Sequence, residues 1–220
     1  MTQIKISGLT DPRDAELVGS AGIDLATCVF HARSPRYVTL SQVWEIRRAL
    51  PPQVALVGVF VDTPTPLVVQ IAQGCGLDFV QLFGRETRAD VQAVGPHAFK
   101  AVTIESPGEV DDAARTFLGR RGREGPAPAL LVHLTGALAM AWHLVAEVSA
   151  RAPIVLAAGG LEAASVRSAI AAARPWAVDV WDAVEREPGR IDRARLGAFV
   201  SAARAADDEL AANPSQEDSP

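Results

Sequence analysis

The chain has 220 residues, 49% of them hydrophobic and 5% aromatic, a balance that suits one globular core filled by Ala, Val and Leu and excludes a fibrous or wholly disordered chain. Its 26 acidic and 21 basic side chains give a net charge of −5, but Asp207, Asp208, Glu209, Glu217 and Asp218 all follow the last basic residue, Arg204. Residues 1–204 therefore balance at 21 against 21 and carry no basic footprint for nucleic acid.

Short β-branched runs alternate with longer amphipathic ones. Residues 3–7 predict a first strand, and Thr10-Asp11-Pro12 opens the next helix with a capping residue and an early proline. A second strand follows over 23–30, and Thr39-Leu40-Ser41-Gln42 reads as a capping box for a helix to about residue 50. Strand three spans 54–61, with Thr63-Pro64 capping the helix behind it. Strands four and five, 78–82 and 98–103, flank a weak helix at 87–94. Ser106-Pro107-Gly108-Glu109 is another capping box, residues 120–128 a loop, and 129–133 strand six. The remainder reads as a helix over 137–150, strand seven over 154–158, a helix over 161–173, strand eight over 177–181 and a final helix over 192–206.

Eight strand–helix units in about 205 residues predict an α/β protein with a parallel sheet. They fit a single (βα)8 TIM barrel better than an open doubly wound sheet. The barrel domain is expected over residues 1–206. Residues 207–220 are acidic and nearly free of large apolar side chains, which predicts a disordered tail. No apolar stretch approaches a membrane span and Met1-Thr2-Gln3-Ile4-Lys5 does not open like a signal peptide, so a cytoplasmic protein without a membrane partner is expected. Cys28 and Cys75 lack partner spacing and read as reduced thiols. No residue cluster has metal-ligand spacing and no nucleotide fingerprint is present, so neither metal nor cofactor is expected.

In such barrels chemistry sits at the C-terminal strand ends, and phosphate commonly sits in the loops after strands seven and eight. The residues predicted there include Ser7, His31, Phe83, His133, Gly159-Gly160 and Trp181-Asp182. The apolar run 153–158 followed by Gly159-Gly160 has the form of a phosphate cradle, in which a sharp turn and free helix N–H groups favour an anion. A plain tight turn is the alternative reading. His97 at the opposite face and His143 within a helix read as structural or exposed.

Lys5-Ile6-Ser7-Gly8-Leu9-Thr10, Ser34-Pro35-Arg36-Tyr37-Val38, Val57-Gly58-Val59-Phe60-Val61, Asp78-Phe79-Val80-Gln81-Leu82-Phe83-Gly84, Leu156-Ala157-Ala158-Gly159-Gly160-Leu161 and Val178-Asp179-Val180 resemble phosphoribosylanthranilate isomerase of tryptophan biosynthesis, over residues 3 to about 200. Glu185 and Pro188-Gly189 fall where that family has its segment after strand eight. The resemblance implies the barrel, and it implies that Arg36 holds a substrate carboxylate. It also places Ser7 where the family has a cysteine general base, His133 where it has an aspartate general acid, and Phe83 where it often has histidine. The family's glycine-rich loop after strand six is absent at Thr135-Gly136-Ala137, and Trp181-Asp182-Ala183 replaces a Ser-Ser-Gly phosphate turn. A carboxylate about 4 Å from a phosphate charge costs on the order of 4 kcal/mol at an effective dielectric of 20. With two of three phosphate loops altered, Gly159-Gly160 reads as an inherited backbone turn and the family's substrate is disfavoured.

A serine hydroxyl acts as a base only if another group deprotonates it, whereas histidine changes charge near neutrality. Ser7, His133, His31 and Asp182 are thus the candidate proton carriers, and Arg36, Phe83, Gly159, Gly160 and Trp181 the candidate binding residues. Each has a bland alternative: Ser7 as a small packing residue, His133 as a core histidine, Arg36 and Asp182 as solvated loop charges, Trp181 as a plug. Three functions follow in order of preference. The first is an enzyme doing isomerisation, dehydration or cyclisation on a small, unphosphorylated, carboxylate-bearing or aromatic substrate. The second is a non-catalytic protein binding a metabolite or another protein. The third is a phosphoribosylanthranilate isomerase with unusual catalytic residues. A monomer and a homodimer both fit.

Overall fold

Eight strands, β1 (Gln3–Ile6), β2 (Leu25–Val29), β3 (Ala55–Phe60), β4 (Phe79–Leu82), β5 (Ala98–Ile104), β6 (Leu130–Leu134), β7 (Ile154–Ala158) and β8 (Ala177–Val180), frame the computed structural model, which describes residues 1–118 and 128–212. Each runs parallel to the next, and β8 closes on β1 with Lys5 in register with Asp179. Helices α1 (Pro12–Ser20), α2 (Leu40–Ala49), α3 (Thr65–Cys75), α4 (Arg88–Val94), α5 (Gly108–Phe117), α6 (Ala146–Arg151), α7 (Val166–Ala173) and α8 (Arg193–Ala212) follow the strands in turn. This is the closed (βα)8 barrel that the alternation predicts. None of these helices is long and apolar enough to cross a membrane.

Strand residues that point outward, such as Ile4, Ile6, Leu130, Ile154, Leu156 and Val178, are buried beneath the helices in the main core. Their inward neighbours Leu25, Val57, Phe99, Leu131, Val155 and Ala177 fill the barrel. Four inward positions are polar and still buried: Lys5, Thr27, Gln81 and Asp179. Burying such groups is costly unless they are partnered or serve a ligand, so they point to a site inside the barrel mouth.

Local chemistry explains several helix starts. Asp11 caps α1 by accepting from Arg13 N at 2.8 Å, and Thr39 with Gln42 forms the complete capping box expected for α2. Thr87 and Asp90 form another for α4. The box expected at Ser106 is only half made. Glu109 accepts from Ser106 Oγ and Glu105 N, but no side chain caps α5. Thr63 does not cap α3 either; Pro64 takes that position without a side-chain bond.

Four features depart from the sequence expectation. The helix expected over 137–150 is two 3₁₀ turns, Gly136–Leu138 and Trp142–Val145, followed by the short α6. Gly136 lies at φ +56 and Ala141 at ψ +47, both outside helical geometry. The helix expected over 161–173 starts only at Val166. Ser165 Oγ donates to Gly160 O at 2.7 Å and accepts from Glu162 N, which keeps the preceding residues in turns. After β8 an unforeseen hairpin of β9 (Glu185–Glu187) and β10 (Arg190–Ile191) folds around Gly189 at φ +78. Finally, α8 continues through the first six residues of the expected tail, because Asp207 accepts from both Thr2 N and Thr2 Oγ1 at 2.8 Å. Residues 213–220, and all of the loop expected over 120–128 except Pro128, lie outside the described residues.

Candidate active site

β1 and β8 meet at a closed hydrogen-bonded triangle. Lys5 Nζ donates to Asp179 Oδ2 at 2.7 Å and to Ser7 Oγ at 2.8 Å, and Ser7 Oγ donates to Asp179 Oδ1 at 2.6 Å. Ser7 is held in place by its own amide, which donates to Val180 O at 2.9 Å. Lys5 is fully buried and Asp179 is 3% exposed. Burial loosens the hold of the Lys5 amine on its proton, and the Asp179 charge works against that loss. Ser7 is therefore a hydroxyl wedged between an ammonium that can replenish its proton and a carboxylate that can receive it.

β6 brings His133 to the same mouth. Its ring stands edge-on to Trp181 at 5.2 Å and to Phe83 at 6.1 Å between centroids. Burial lowers its proton affinity below the usual imidazole value, opposed by the charges of Asp179 and Asp182. The neutral imidazole is the resting form at pH 7, and its Nδ1 is buried without a partner.

Arg36 enters from the loop after β2. Its Nε and Nη2 donate to the two carboxylate oxygens of Glu185 at 2.8 and 2.5 Å, and Nη2 also donates to Asp182 Oδ1 at 2.7 Å. Gly8 makes room for it: a Cβ there would come within 2.3 Å of Arg36 Cδ, and the residue sits at φ +89. Two carboxylates thus already surround the guanidinium. The corner carries a net negative charge, a poor receptor for a ligand carboxylate unless Asp182, 75% exposed at its side chain, swings away.

A cavity of about 340 Å³ joins these groups. Six of the residues singled out in the sequence line it: Ser7, His31, Arg36, Phe83, His133 and Trp181. Asp182, Gly159 and Gly160 do not; Asp182 stays at the rim beside Arg36. Gly159 N donates to Leu134 O, and α7 begins six residues after Gly160, so this turn does not have the helix N-terminus a phosphate cradle needs. A larger hollow of about 620 Å³ lies at the opposite end, against Met1, Thr2, Arg174 and Asp207. It holds no C-terminal strand end, and the smaller cavity, where titratable groups converge, is the chemical one. Among the described residues no group of three His, Cys, Asp or Glu side chains is placed to hold a metal ion.

Sequence reasoning missed Lys5, Gln81 and Asp179 as site residues. Each is a polar residue at an inward position of a strand whose neighbours are apolar, and Lys5 lies two residues before Ser7 on the same face.

Fold and pocket together define a (βα)8-barrel enzyme scaffold with acid–base groups at the C-terminal ends of its strands. The model of the family described as N-(5'phosphoribosyl)anthranilate (PRA) isomerase matches residues 4–202. An N-(5'-phosphoribosyl)anthranilate isomerase of Geobacter sulfurreducens is 36% identical over 204 residues, covering 93% of this chain and 99% of that protein. The solved phosphoribosyl anthranilate isomerase of Thermotoga maritima superimposes with a TM-score of 0.83 at 28% identity, covering 93% of this chain and 100% of that one. A structure of such an isomerase in complex with reduced 1-(o-carboxyphenylamino)-1-deoxyribulose 5-phosphate gives 0.81 at 30% identity, with the same coverage. The chain belongs to the phosphoribosylanthranilate isomerase family.

Proposed function

We propose that this chain is an acid–base isomerase that has kept the family's scaffold and exchanged the family's proton-handling roles, acting on a small, unphosphorylated aromatic substrate. The observation that carries the reading is the Lys5–Ser7–Asp179 triangle opening into the same cavity as a neutral His133. An imidazole that burial keeps neutral is free to accept a proton from carbon. A serine hydroxyl backed by a buried ammonium suits the delivery of one: Ser7 Oγ–H turns from Asp179 Oδ1 to the substrate, and as its proton leaves, Lys5 Nζ, which already donates to Ser7 Oγ, passes it another and is left as the neutral amine. His133 is then the base and Ser7 the donor, the reverse of the roles implied by family position.

The absence of phosphate from the proposed substrate is supported by the turn after β8, where Trp181 lines the cavity and Asp182 sets a carboxylate beside Arg36. A second reading, the isomerase reaction for which the relatives are named, is favoured by the 36% identity along nearly the whole chain. Rescue of a tryptophan auxotroph lacking its isomerase would put that second reading in place of the first.

The mechanism itself is tested by turnover. His133→Ala and Ser7→Ala should each lower kcat/KM by about 10²–10⁴-fold, the usual range for a positioned acid or base. Because the working form of His133 is neutral and its folded pKa lies below the ordinary 6.5, activity should hold above that value and fall as pH drops through the folded pKa. Unchanged turnover in both variants would end the proposal.

A further inference from the structure

Four of the six large hydrophobic side chains that the described residues leave exposed, Tyr37, Leu40, Trp44 and Leu67, stand together on the flank of the barrel along α2 and α3, each between 44% and 51% exposed. They rim a groove of about 550 Å³ whose floor includes Phe30 and Phe60, stacked with 4.8 Å between ring centroids. α3 carries no charged residue along its length, in a chain of which 21% is charged. A surface helix ordinarily turns charge to water, and the core of an interface is where charge is missing. Trp44 is also fixed in place. Its Nε1 donates to Gly74 O at 3.0 Å, so the indole bridges from α2 to α3 while half of it stays exposed. A rigid, half-exposed indole beside an apolar groove has the form of an anchor residue. The groove shares no residue with the cavity at the barrel mouth.

The charges at the rim say what covers it. α2 turns Glu45 and Arg48 outward beside Trp44, and neither makes an ion pair among the described residues. A partner of strong net charge would meet one of the two as a like charge. A second copy does not, because a two-fold axis passing over α2 between these residues, at right angles to it, sets the two α2 helices antiparallel. Glu45 of each copy then faces Arg48 of the other, and the uncharged α3 faces cover each other. We propose that this flank is a self-association surface, on which two copies of the chain pack through α2 and α3 about a two-fold axis with Trp44 as the anchor. Two helices about 15 Å long make a small footprint, so the dimer forms in the micromolar range.

Sedimentation velocity of the full chain, from low micromolar to submillimolar concentration, should show a monomer passing into a dimer. Trp44→Asp should abolish the dimer, and Leu67→Asp should do the same, which keeps the test open if one of them fails to fold. Met140→Asp, at an exposed apolar residue outside the groove, should leave association unchanged. Glu45→Arg and Arg48→Glu should each weaken it by about tenfold or more, because each change sets two like-charged pairs across the axis. An equimolar mixture of those two variants should associate about as tightly as the unaltered chain, since opposite signs meet again in the mixed pair. Only a contact of this chain with itself in that register gives such a recovery. A chain that stays monomeric throughout, a dimer that survives both Trp44→Asp and Leu67→Asp, or a mixture no tighter than its separate components would overturn the proposal.

Discussion

Asp182 stands where a ligand carboxylate would have to go to reach Arg36. Its side chain is 75% exposed and its bond to Nη2 is 2.7 Å long, so it is a loosely held occupant of the guanidinium. At about 4 Å in water a unit charge pair is worth about 1 kcal/mol, or about fivefold in affinity. Asp182→Asn should therefore tighten benzoate binding by about that factor, measured by titration. No change would mean that the bidentate grip of Glu185 alone closes Arg36 to ligands. Nine site residues were named from the sequence and six line the cavity, because the end of a barrel strand is a position that periodicity can locate. The three missed ones lie one layer deeper. In a strand buried on both faces no polar alternation betrays which side a residue takes, so Lys5, Gln81 and Asp179 looked like interruptions of apolar runs.

At the scale of elements, the same ion pair closes the barrel. β1 and β8 are the first and last strands of the barrel, 174 residues apart at Lys5 and Asp179, and their buried charges meet at 2.7 Å. Removing one partner strands the other in a medium that solvates it poorly. Lys5→Met should cost about 3–5 kcal/mol of stability. Replacing both, by Lys5→Met with Asp179→Leu, should recover most of that loss, since a well-packed apolar pair often matches a buried ion pair. Urea unfolding of the three proteins decides it. If the double variant is as unstable as the single one, the pair is needed for the fold beyond its charge. The elements themselves were legible wherever a capping side chain or a 3.6-residue period marked them, as at Asp11, Thr39 and Thr87. They were not legible after β6 and β7, where left-handed Gly136 and Gly160 turn the chain before it can coil, and where the Ser165 hydroxyl bonds to the backbone of Gly160 and Glu162 instead. The far end of α8 escaped for a different reason: its continuation past residue 206 rests on a contact with Thr2 that no local pattern contains.

For the whole molecule, the family's model matches residues 4–202, and the resemblance read in the sequence places this chain's departures from the family at the mouth of the barrel. The turn after β8 is the place where this contrast is sharpest. Trp181 turns its ring toward His133 and Asp182 sets a negative charge beside Arg36, in the segment where the resemblance places a Ser-Ser-Gly phosphate turn. If those two side chains are what bars a phosphate, restoring the turn should readmit it. The triple variant Trp181→Ser, Asp182→Ser, Ala183→Gly should bind inorganic phosphate at least about tenfold more tightly than the unaltered chain, close to the effect of removing one nearby like charge at an effective dielectric between water and interior. The single variant Asp182→Asn is the control, because it removes the Asp182 charge from beside Arg36 without opening the turn. Phosphate binding that rises no further in the triple variant than in the single one would show that the exclusion lies in the charge around Arg36 alone, and that the shape of the turn takes no part in choosing the substrate.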